Sequence, residues 1–177
     1  KSNIFHVNVI DRRKNLIELK ASDIVFSLPP QSLLDLIPID GGLSTAYRDG
    51  IKKLPKPSGA IVFYGALHRS DLPVDCPGHI QIFDEDFGSI FISISMEDDQ
   101  RAPTGMATLI ASVFVDIDQW SYLDSQSYAR KKNILSKQIR TILNKKFDLI
   151  ESSWDYYQEF ATPRSFEKWT GRPRGIV

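Results

Sequence analysis

The sequence predicts an α+β fold in which a mostly antiparallel β-sheet is covered by helices. Five strand-like segments lie at residues 60–67, 80–83, 89–95, 107–115 and 150–161. The third of these segments has isoleucine at every second position, which is typical of a strand with two different faces. Two segments with apolar residues at helical spacing, one starting at Ser44 and one near Asp124, supply the helices that cover the sheet.

The first forty residues are predicted to form a hairpin, a buried strand and a short helix. Apolar and polar residues alternate at 4–10 and again at 16–19, on either side of a polar turn. Residues 24–28 form a continuous apolar run of the kind found in buried strands. Pro29 and Pro30 end this run and begin a helix at 31–37. Gly41 and Gly42 then interrupt the pattern, which indicates a boundary at 40–43.

A helix capped by Ser44 is predicted to run to about Lys53, because Pro55 and Pro57 prevent it from continuing. Its buried stripe is expected to consist of Leu43, Tyr47, Ile51 and Leu54. Strand 60–67 follows this helix. A turn at 84–88 then joins strands 80–83 and 89–95 into a hairpin, and strand 107–115 follows a charged turn.

The longest helix is predicted to start at a cap on Asp124 or Ser125 and to end near Phe147. Strand 150–161 returns to the sheet. After it, Thr162 is the expected cap of a helix of about one turn, with proline at its first position. Gly171 suits the exit of this helix, and Gly175 lets the backbone pass close to another surface.

Composition excludes several kinds of function. Lys and Arg together number 22, as do Asp and Glu, so the overall charge predicts no nucleic-acid partner. The single cysteine, Cys76, excludes a disulfide within the chain and a cysteine-based zinc site. The three histidines lack ligand spacing, so no metal site is expected. No apolar run approaches the roughly 20 residues of a membrane-spanning helix, and no signal peptide precedes the first strand.

Motifs for catalysis and for nucleotide binding are missing from the sequence. Cys76 has no evident base and no G-x-S-x-G elbow occurs, so no side chain is assigned a catalytic role. No G-x-G-x-x-G turn is present to hold a dinucleotide phosphate. The chain starts within a strand pattern and stops without a polar tail, so both ends are expected to lie inside a longer protein.

The end of the chain carries a family resemblance. Residues 161–173, Ala-Thr-Pro-Arg-Ser-Phe-Glu-Lys-Trp-Thr-Gly-Arg-Pro, followed by Gly175, resemble the "(G/A)TP-x-(T/S)-(F/L)-E-(R/K)-(aromatic)-TGR" segment of a flavoprotein family. That family contains phytoene desaturases, carotenoid isomerases and retinol saturases. In it, this segment lies between the substrate-binding domain and the C-terminal part of the FAD-binding domain.

Two further segments are similar to the same family. Residues 21–29 resemble its "A-D-x-V-(V/F)-(S/A)-x-x-P" segment, with Ser22 as one inserted residue. Residues 93–105, Ser-Ile-Ser-Met-Glu-Asp-Asp-Gln-Arg-Ala-Pro-Thr-Gly, resemble its "S-(I/L)-S-(P/M)-x-x-D-x-(R/S)-A-P-x-G" hairpin.

The resemblance implies a domain layout and a cofactor. Residues 1–41 would be part of an FAD-binding domain, with the hairpin and the short helix left over from it. Residues 42–162 would be the substrate-binding domain, and 163–177 the return toward the FAD-binding domain. The parent enzyme would use FAD on carbon–carbon bonds of a carotenoid- or retinoid-like isoprenoid, in the cytoplasm or at a membrane surface. The 177 residues alone would be inactive and would hold no FAD, because the phosphate cradle lies elsewhere.

The resemblance also gives candidate site residues. Phe63, Phe91, Ser93, Ser95 and Phe160 are expected to bind an apolar substrate, with the serines leaving space beside Phe91. The alternative for the aromatic residues is packing between the sheet and the helices.

Arg172, within the Thr-Gly-Arg motif, is the expected cofactor contact. Its alternative role, shared by Arg164 and Arg174, is as a solvated loop charge. The basic residues of the long helix can contact membrane headgroups or form a solvated face. The first strands, if orphaned, can associate with another edge. The rival function is a non-enzymatic module that binds an apolar ligand or another protein.

Overall fold

The computed structural model describes residues 4–177 and divides the chain into two compact units. The first unit extends to Lys53 and the second comprises Leu54–Val177. The expected α+β class is confirmed, because helices accompany two antiparallel sheets. The boundary predicted after residue 41 stays a prediction, and the first compact unit ends at Lys53.

The first unit contains a two-stranded ribbon and two short helices. Strands β1 (Phe5–Ile10) and β2 (Leu16–Ala21) pair antiparallel, as the alternating pattern predicted. Helix α1 spans Ser32–Leu36, and helix α2 spans Thr45–Lys52. The Ser44 hydroxyl accepts a hydrogen bond from the Tyr47 amide at 3.2 Å, so the predicted cap of α2 is confirmed.

Two predictions for the first unit are wrong. Residues 24–28 form no strand, since the run pairs with none of the described strands, and the Val25 side chain is 94% exposed. In α2, Ile51 is buried, but Tyr47 and Leu54 are about half exposed. Helix α2 spans only Thr45–Lys52, so Leu43 and Leu54 lie outside it, and Ile51 is the buried residue of the predicted stripe.

The second unit is built on a five-stranded antiparallel sheet. Its strands are β3 (Gly59–His68), β4 (His79–Asp84), β5 (Gly88–Ile94), β6 (Met106–Val115) and β7 (Tyr157–Ala161). They lie in the order β4-β5-β6-β3-β7, so β3 and β6 are central and β4 and β7 are edges.

One face of this sheet is covered by helix α4 (Ser125–Phe147). Ile139 and Leu143 of α4 are fully buried against inward-facing residues of β3, β5 and β6, such as Ile61, Ile92 and Leu109. The Asp124 carboxylate accepts the amide hydrogens of Gln126 and Ser127 at 2.9 Å, so the predicted cap is confirmed. This face holds the core of the unit.

The predicted strand 150–161 is shorter in the structure. A 3-10 turn, Glu151–Trp154, precedes β7, because the Trp154 ring turns inward to pack over Gly65 of β3. A Cβ at Gly65 would lie 2.5 Å from the Trp154 ring. Trp154 also meets Phe63 edge-on at 5.1 Å, and its Nε1 donates to Asn144 Oδ1 at 2.7 Å. Strand β7 therefore starts only at Tyr157, after the turn that buries the Trp154 ring.

The last residues fold back onto the start of β3. Short helix α3 (Asp118–Ser121) follows β6, and helix α5 (Pro163–Thr170) has two turns where about one was predicted. The backbone leaves α5 at Gly171 with φ +69°. At Gly175, φ is +68° and an added Cβ would overlap the Pro163 carbonyl, so this position requires glycine. The Val177 amide then donates to the Ser58 carbonyl at 3.0 Å.

Candidate functional site

The sheet face opposite α4 is largely exposed to solvent. Helix α5 covers one corner of it, where Phe166 packs with Ala60, Val62 and Ala161. The rest, which we call the open face, consists of outward-facing side chains on all five strands: His79, Gln81, Phe83, Ser89, Phe91, Ser93, Thr108, Ile110, Ser112, Phe114, Tyr64, Ala66, Tyr157 and Glu159. Phe114 is 75% exposed and Phe83 is 83% exposed. Exposed apolar surface grouped on one face in this way is a feature of ligand-binding and protein-interaction sites.

Strand register aligns the open face in rows across the sheet. His79 pairs with Ser93, Ser93 with Ile110, Ile110 with Tyr64, and Tyr64 with Glu159. Four strand spacings separate the ends of this row, so it is about 19 Å long. The row is apolar in its middle and polar at both ends.

Small residues lie among the aromatic ones near β5. Ser93 and Ser112 adjoin Phe91, and the His79 ring stacks on the Phe91 ring with centroids 5.6 Å apart and an interplanar angle of 20°. Phe91 is 45% exposed, so nearly half of its surface is available to a partner. Small side chains beside flat rings form a shallow surface on which an extended hydrophobic ligand can lie against the rings.

A polar cluster closes the β7 end of the open face. The Tyr157 hydroxyl donates to Glu159 Oε2 at 2.7 Å, and this hydrogen bond raises the pKa of Tyr157. Tyr64 is the register partner of Glu159 across β3 and β7. Burial, and then the negative charge of Glu159, raise the pKa of Tyr64, so both phenols keep their protons at neutral pH.

The structure divides the predicted substrate residues between two faces. Phe91 and Ser93 lie on the open face. Phe63 and Phe160 are register partners in the core on the α4 side, 1% and 5% exposed, so the packing alternative describes their position. The five residues therefore do not form one surface.

Ser95 leaves no space open. Its side chain is buried, and its Oγ accepts the Thr108 amide hydrogen at 2.9 Å. The Arg69 guanidinium donates to the Ser95 carbonyl. These contacts hold the end of β5 against β6, which accounts for a small hydroxyl residue at this position.

The C-terminal arginines mostly contact protein groups. Arg164 donates to the Leu123 carbonyl and lies over the Tyr128 ring, 4.7 Å from its centroid. Arg174 pairs with Asp118 and donates to Ser121 Oγ at 3.0 Å. Both arginines border a cleft of about 190 Å³ between α3 and α5. Since their charges are already engaged, this cleft is not an evident anion site.

Arg172, the predicted cofactor contact, is half-buried just after Gly171. Its amide donates to Thr170 Oγ1 at 3.2 Å, and its guanidinium makes no hydrogen bond or ion pair to residues 4–177. Its role in cofactor binding stays a prediction.

Residues 4–177 contain no cluster of side chains that could hold a metal ion. Within the same residues, no helix has the length and apolar character needed to span a membrane.

Sequence reasoning missed Glu159, Ile110 and Ser112 as members of the open face. Alternation along β7 does put Glu159 on the opposite side from Phe160. The missing information was register, because only the pairing of Tyr64 with Glu159 brings the carboxylate to this surface.

Comparisons with known proteins give distant similarity to two prolycopene isomerases. No family model matches the chain, and no solved structure matches it. The chain is 30% identical over 112 residues to the chloroplastic prolycopene isomerase of Arabidopsis thaliana, which covers 59% of this chain and 19% of that protein. It is also 30% identical over 117 residues to the prolycopene isomerase of Daucus carota, covering 60% and 19%. The chain thus spans about a fifth of the length of these two relatives, and it is similar to each of them over about three fifths of its own.

Proposed function

We propose that this chain is the substrate-binding part of an FAD-dependent enzyme acting on carbon–carbon bonds of a carotenoid- or retinoid-like isoprenoid. The open face would form one wall of the apolar ligand site. The observation that carries the proposal is this exposed surface of aromatic and small side chains, backed by a well-packed core. The similarity to two prolycopene isomerases supports the choice of ligand class.

The exposed apolar area of the open face favours binding of a hydrophobic ligand. Phe83, Phe91 and Phe114 together expose much of their surface to water on one face. Covering apolar area yields roughly 25 cal/mol per Å², so a long hydrocarbon lying on this face gains affinity without needing any charged contact. Meanwhile α4 holds the other side of the same strands, which keeps the wall fixed in shape.

We expect the flavin phosphate site to lie outside these 177 residues. Their sequence has no glycine-rich turn that opens a helix, and the cleft arginines Arg164 and Arg174 are bonded within the protein. In this proposal the rest of the protein holds FAD, which would carry out the redox chemistry. The residues of this chain would position the isoprenoid and keep water from it.

The first test is the visible absorption spectrum of the purified full-length protein, next to that of the 177 residues. We expect oxidised-flavin bands in the full-length protein and none in the shorter chain. Absence of flavin from the full-length protein, with no binding of added FAD, would refute the enzyme proposal.

The second test changes the wall. Phe91→Ala in the full-length protein should weaken isoprenoid binding about threefold to tenfold, because covering the exposed part of one phenylalanine is worth roughly 1 kcal/mol. Flavin content should stay unchanged. Trp169→Ala, which removes a 78% exposed aromatic side chain from α5, is the control and should leave binding unaffected. If the two variants bind the isoprenoid equally well, the open face is not part of the ligand site.

A second candidate is a non-enzymatic module that binds an apolar ligand. The open face favours it equally, because this surface needs no flavin to attract a hydrocarbon. The two candidates differ in flavin content: isoprenoid binding by a flavin-free full-length protein would support the module.

A further inference from the structure

Tyr64, Tyr157 and Glu159 form a polar cluster at the β7 end of the open face. Tyr64 and Glu159 are directly paired across β3 and β7, which puts their Cβ atoms roughly 5 Å apart. Tyr157 lies on the same face of β7, two residues before Glu159, and its hydroxyl occupies one carboxylate oxygen, Oε2, at 2.7 Å. The phenol therefore orients the carboxylate.

Two groups of this cluster remain free to bind. Glu159 Oε1 accepts no hydrogen bond from residues 4–177, and the Tyr64 hydroxyl makes none to them. The carboxylate oxygen is an acceptor. The Tyr64 phenol, whose pKa burial raises, is a donor at neutral pH. A donor and an acceptor thus stand side by side on neighbouring strands.

We propose that Tyr64 and Glu159 bind the hydroxyl group of an otherwise apolar ligand, and this inference rests on the proposed function of the open face. A hydroxyl donates one hydrogen bond, here to Glu159 Oε1, and accepts another, here from Tyr64. An ammonium group can donate to Glu159 but cannot accept from Tyr64. A pure hydrocarbon can do neither. If it covered Glu159, it would desolvate the carboxylate without supplying a hydrogen bond in place of the lost water.

The geometry of the sheet fixes where the rest of the ligand lies. From Glu159, the same cross-strand row runs over Ile110 to Ser93, and Phe91 adjoins it. Three strand spacings, about 14 Å, separate β7 from β5. A ligand anchored by its hydroxyl at β7 would therefore lay its chain across β3 and β6 toward the Phe91 ring.

The test compares two ligands that differ only by the hydroxyl. Phytanol and phytane share one branched C20 chain, and their binding to the full-length protein can be measured with labelled ligand at equilibrium. Wild type should bind phytanol about tenfold more tightly, since a hydrogen bond to a charged group is worth about 1.5 kcal/mol or more.

Glu159→Leu should reverse this preference. It removes the acceptor, which weakens phytanol binding, and it removes the charge that phytane would cover, which strengthens phytane binding. Tyr64→Phe should weaken phytanol binding severalfold and leave phytane unchanged. Glu97→Leu makes the same substitution at an exposed turn position and should change neither ligand. A loss of folding alone would weaken both ligands together and could not produce the reversal.

Each other outcome overturns the assignment. Equal binding of the two ligands by wild type and by both variants would refute the hydroxyl site while leaving the apolar wall intact. Failure of both ligands to bind would refute the wall as well. If phytanylamine bound more tightly than phytanol and Tyr64→Phe had no effect, the cluster would be a cation site instead.

Discussion

The contact between Gly65 and Trp154 makes a sharp prediction about stability. Strand β3 passes under the Trp154 ring at Gly65, and a methyl group added there would lie 2.5 Å from ring atom Cζ3. Reaching an ordinary carbon–carbon contact of about 3.5 Å requires a ring displacement of about 1 Å. Yet the ring is 1% exposed, meets Phe63 edge-on and is hydrogen-bonded to Asn144. It has little room to move.

The expected loss follows from two opposing effects. Overpacking a filled core costs about 1–3 kcal/mol. Replacing glycine by alanine inside a strand recovers about 0.5–1 kcal/mol of backbone entropy. Gly65→Ala should therefore lower the free energy of unfolding by about 1 kcal/mol, and by at most about 2.5 kcal/mol, measured by urea unfolding with tryptophan fluorescence.

Gly50→Ala is the matched control. Gly50 lies inside α2, and an added Cβ would meet nothing within 4 Å. The free energy of unfolding of this variant should rise by about 0.5–1 kcal/mol, because alanine has a higher helix propensity than glycine. A Trp154→Leu background should abolish most of the cost of Gly65→Ala, because the obstructing ring is gone. A clash with Trp154 is refuted if Gly65→Ala stabilises the protein as Gly50→Ala does, or if its loss of unfolding free energy is the same with and without Trp154.

Three further predictions concern other parts of the second unit. Gly175→Ala should be clearly more destabilising than Gly171→Ala in thermal or urea unfolding. Both glycines have positive φ, where a side chain costs about 1–2 kcal/mol, but only Gly175 also lies against the Pro163 backbone. Equal losses of stability would contradict that close approach. The hydrogen bond from the Arg101 side chain lowers the pKa of Asp99 to about 2, and hydrogen bonds from backbone amides add to this effect. The ionised Asp99 therefore stabilises the fold above the usual aspartate pKa of 3.8, and this contribution is lost as the pH falls through 2. The stability gap between wild type and Asp99→Asn should therefore close on acidification, and a gap independent of pH would count against it. Helix α4 has seven basic and no acidic residues, so vesicles with anionic lipid should retain the protein at low salt and neutral vesicles should not. The double variant Lys137→Glu, Lys145→Glu should bind the anionic vesicles less. Unchanged binding would exclude this helix as the membrane contact.

Much of the fold could be predicted because its elements carry strong local signals. The cap at Asp124, the alternation of Ser89–Ile94 and the hairpin turns each depend on neighbouring residues alone. Strands β3 to β6 and helix α4 were accordingly predicted to within a few residues. The apolar run 24–28 misled because apolar composition indicates burial but cannot supply a partner strand.

The candidate site was only partly predictable, since it depends on pairing between distant segments. Phe91 and Ser93 could be found from the alternation of one strand. Phe63 and Phe160 could not be excluded in advance, because an aromatic residue looks the same in sequence whether it faces a ligand or a core. The Tyr64–Glu159 pair needed the register of β3 against β7, which joins residues far apart in the chain.

The two-sided sheet also has a consequence for how such a protein could diverge. Along β3, Phe63 and Leu67 point into the core, whereas Tyr64 and Ala66 point to the open face. Adjacent residues of one strand are thus under different selection, one for folding and the next for ligand binding. A lineage could exchange residues at alternate positions of these strands and acquire a new ligand while every contact with α4 stayed as it was.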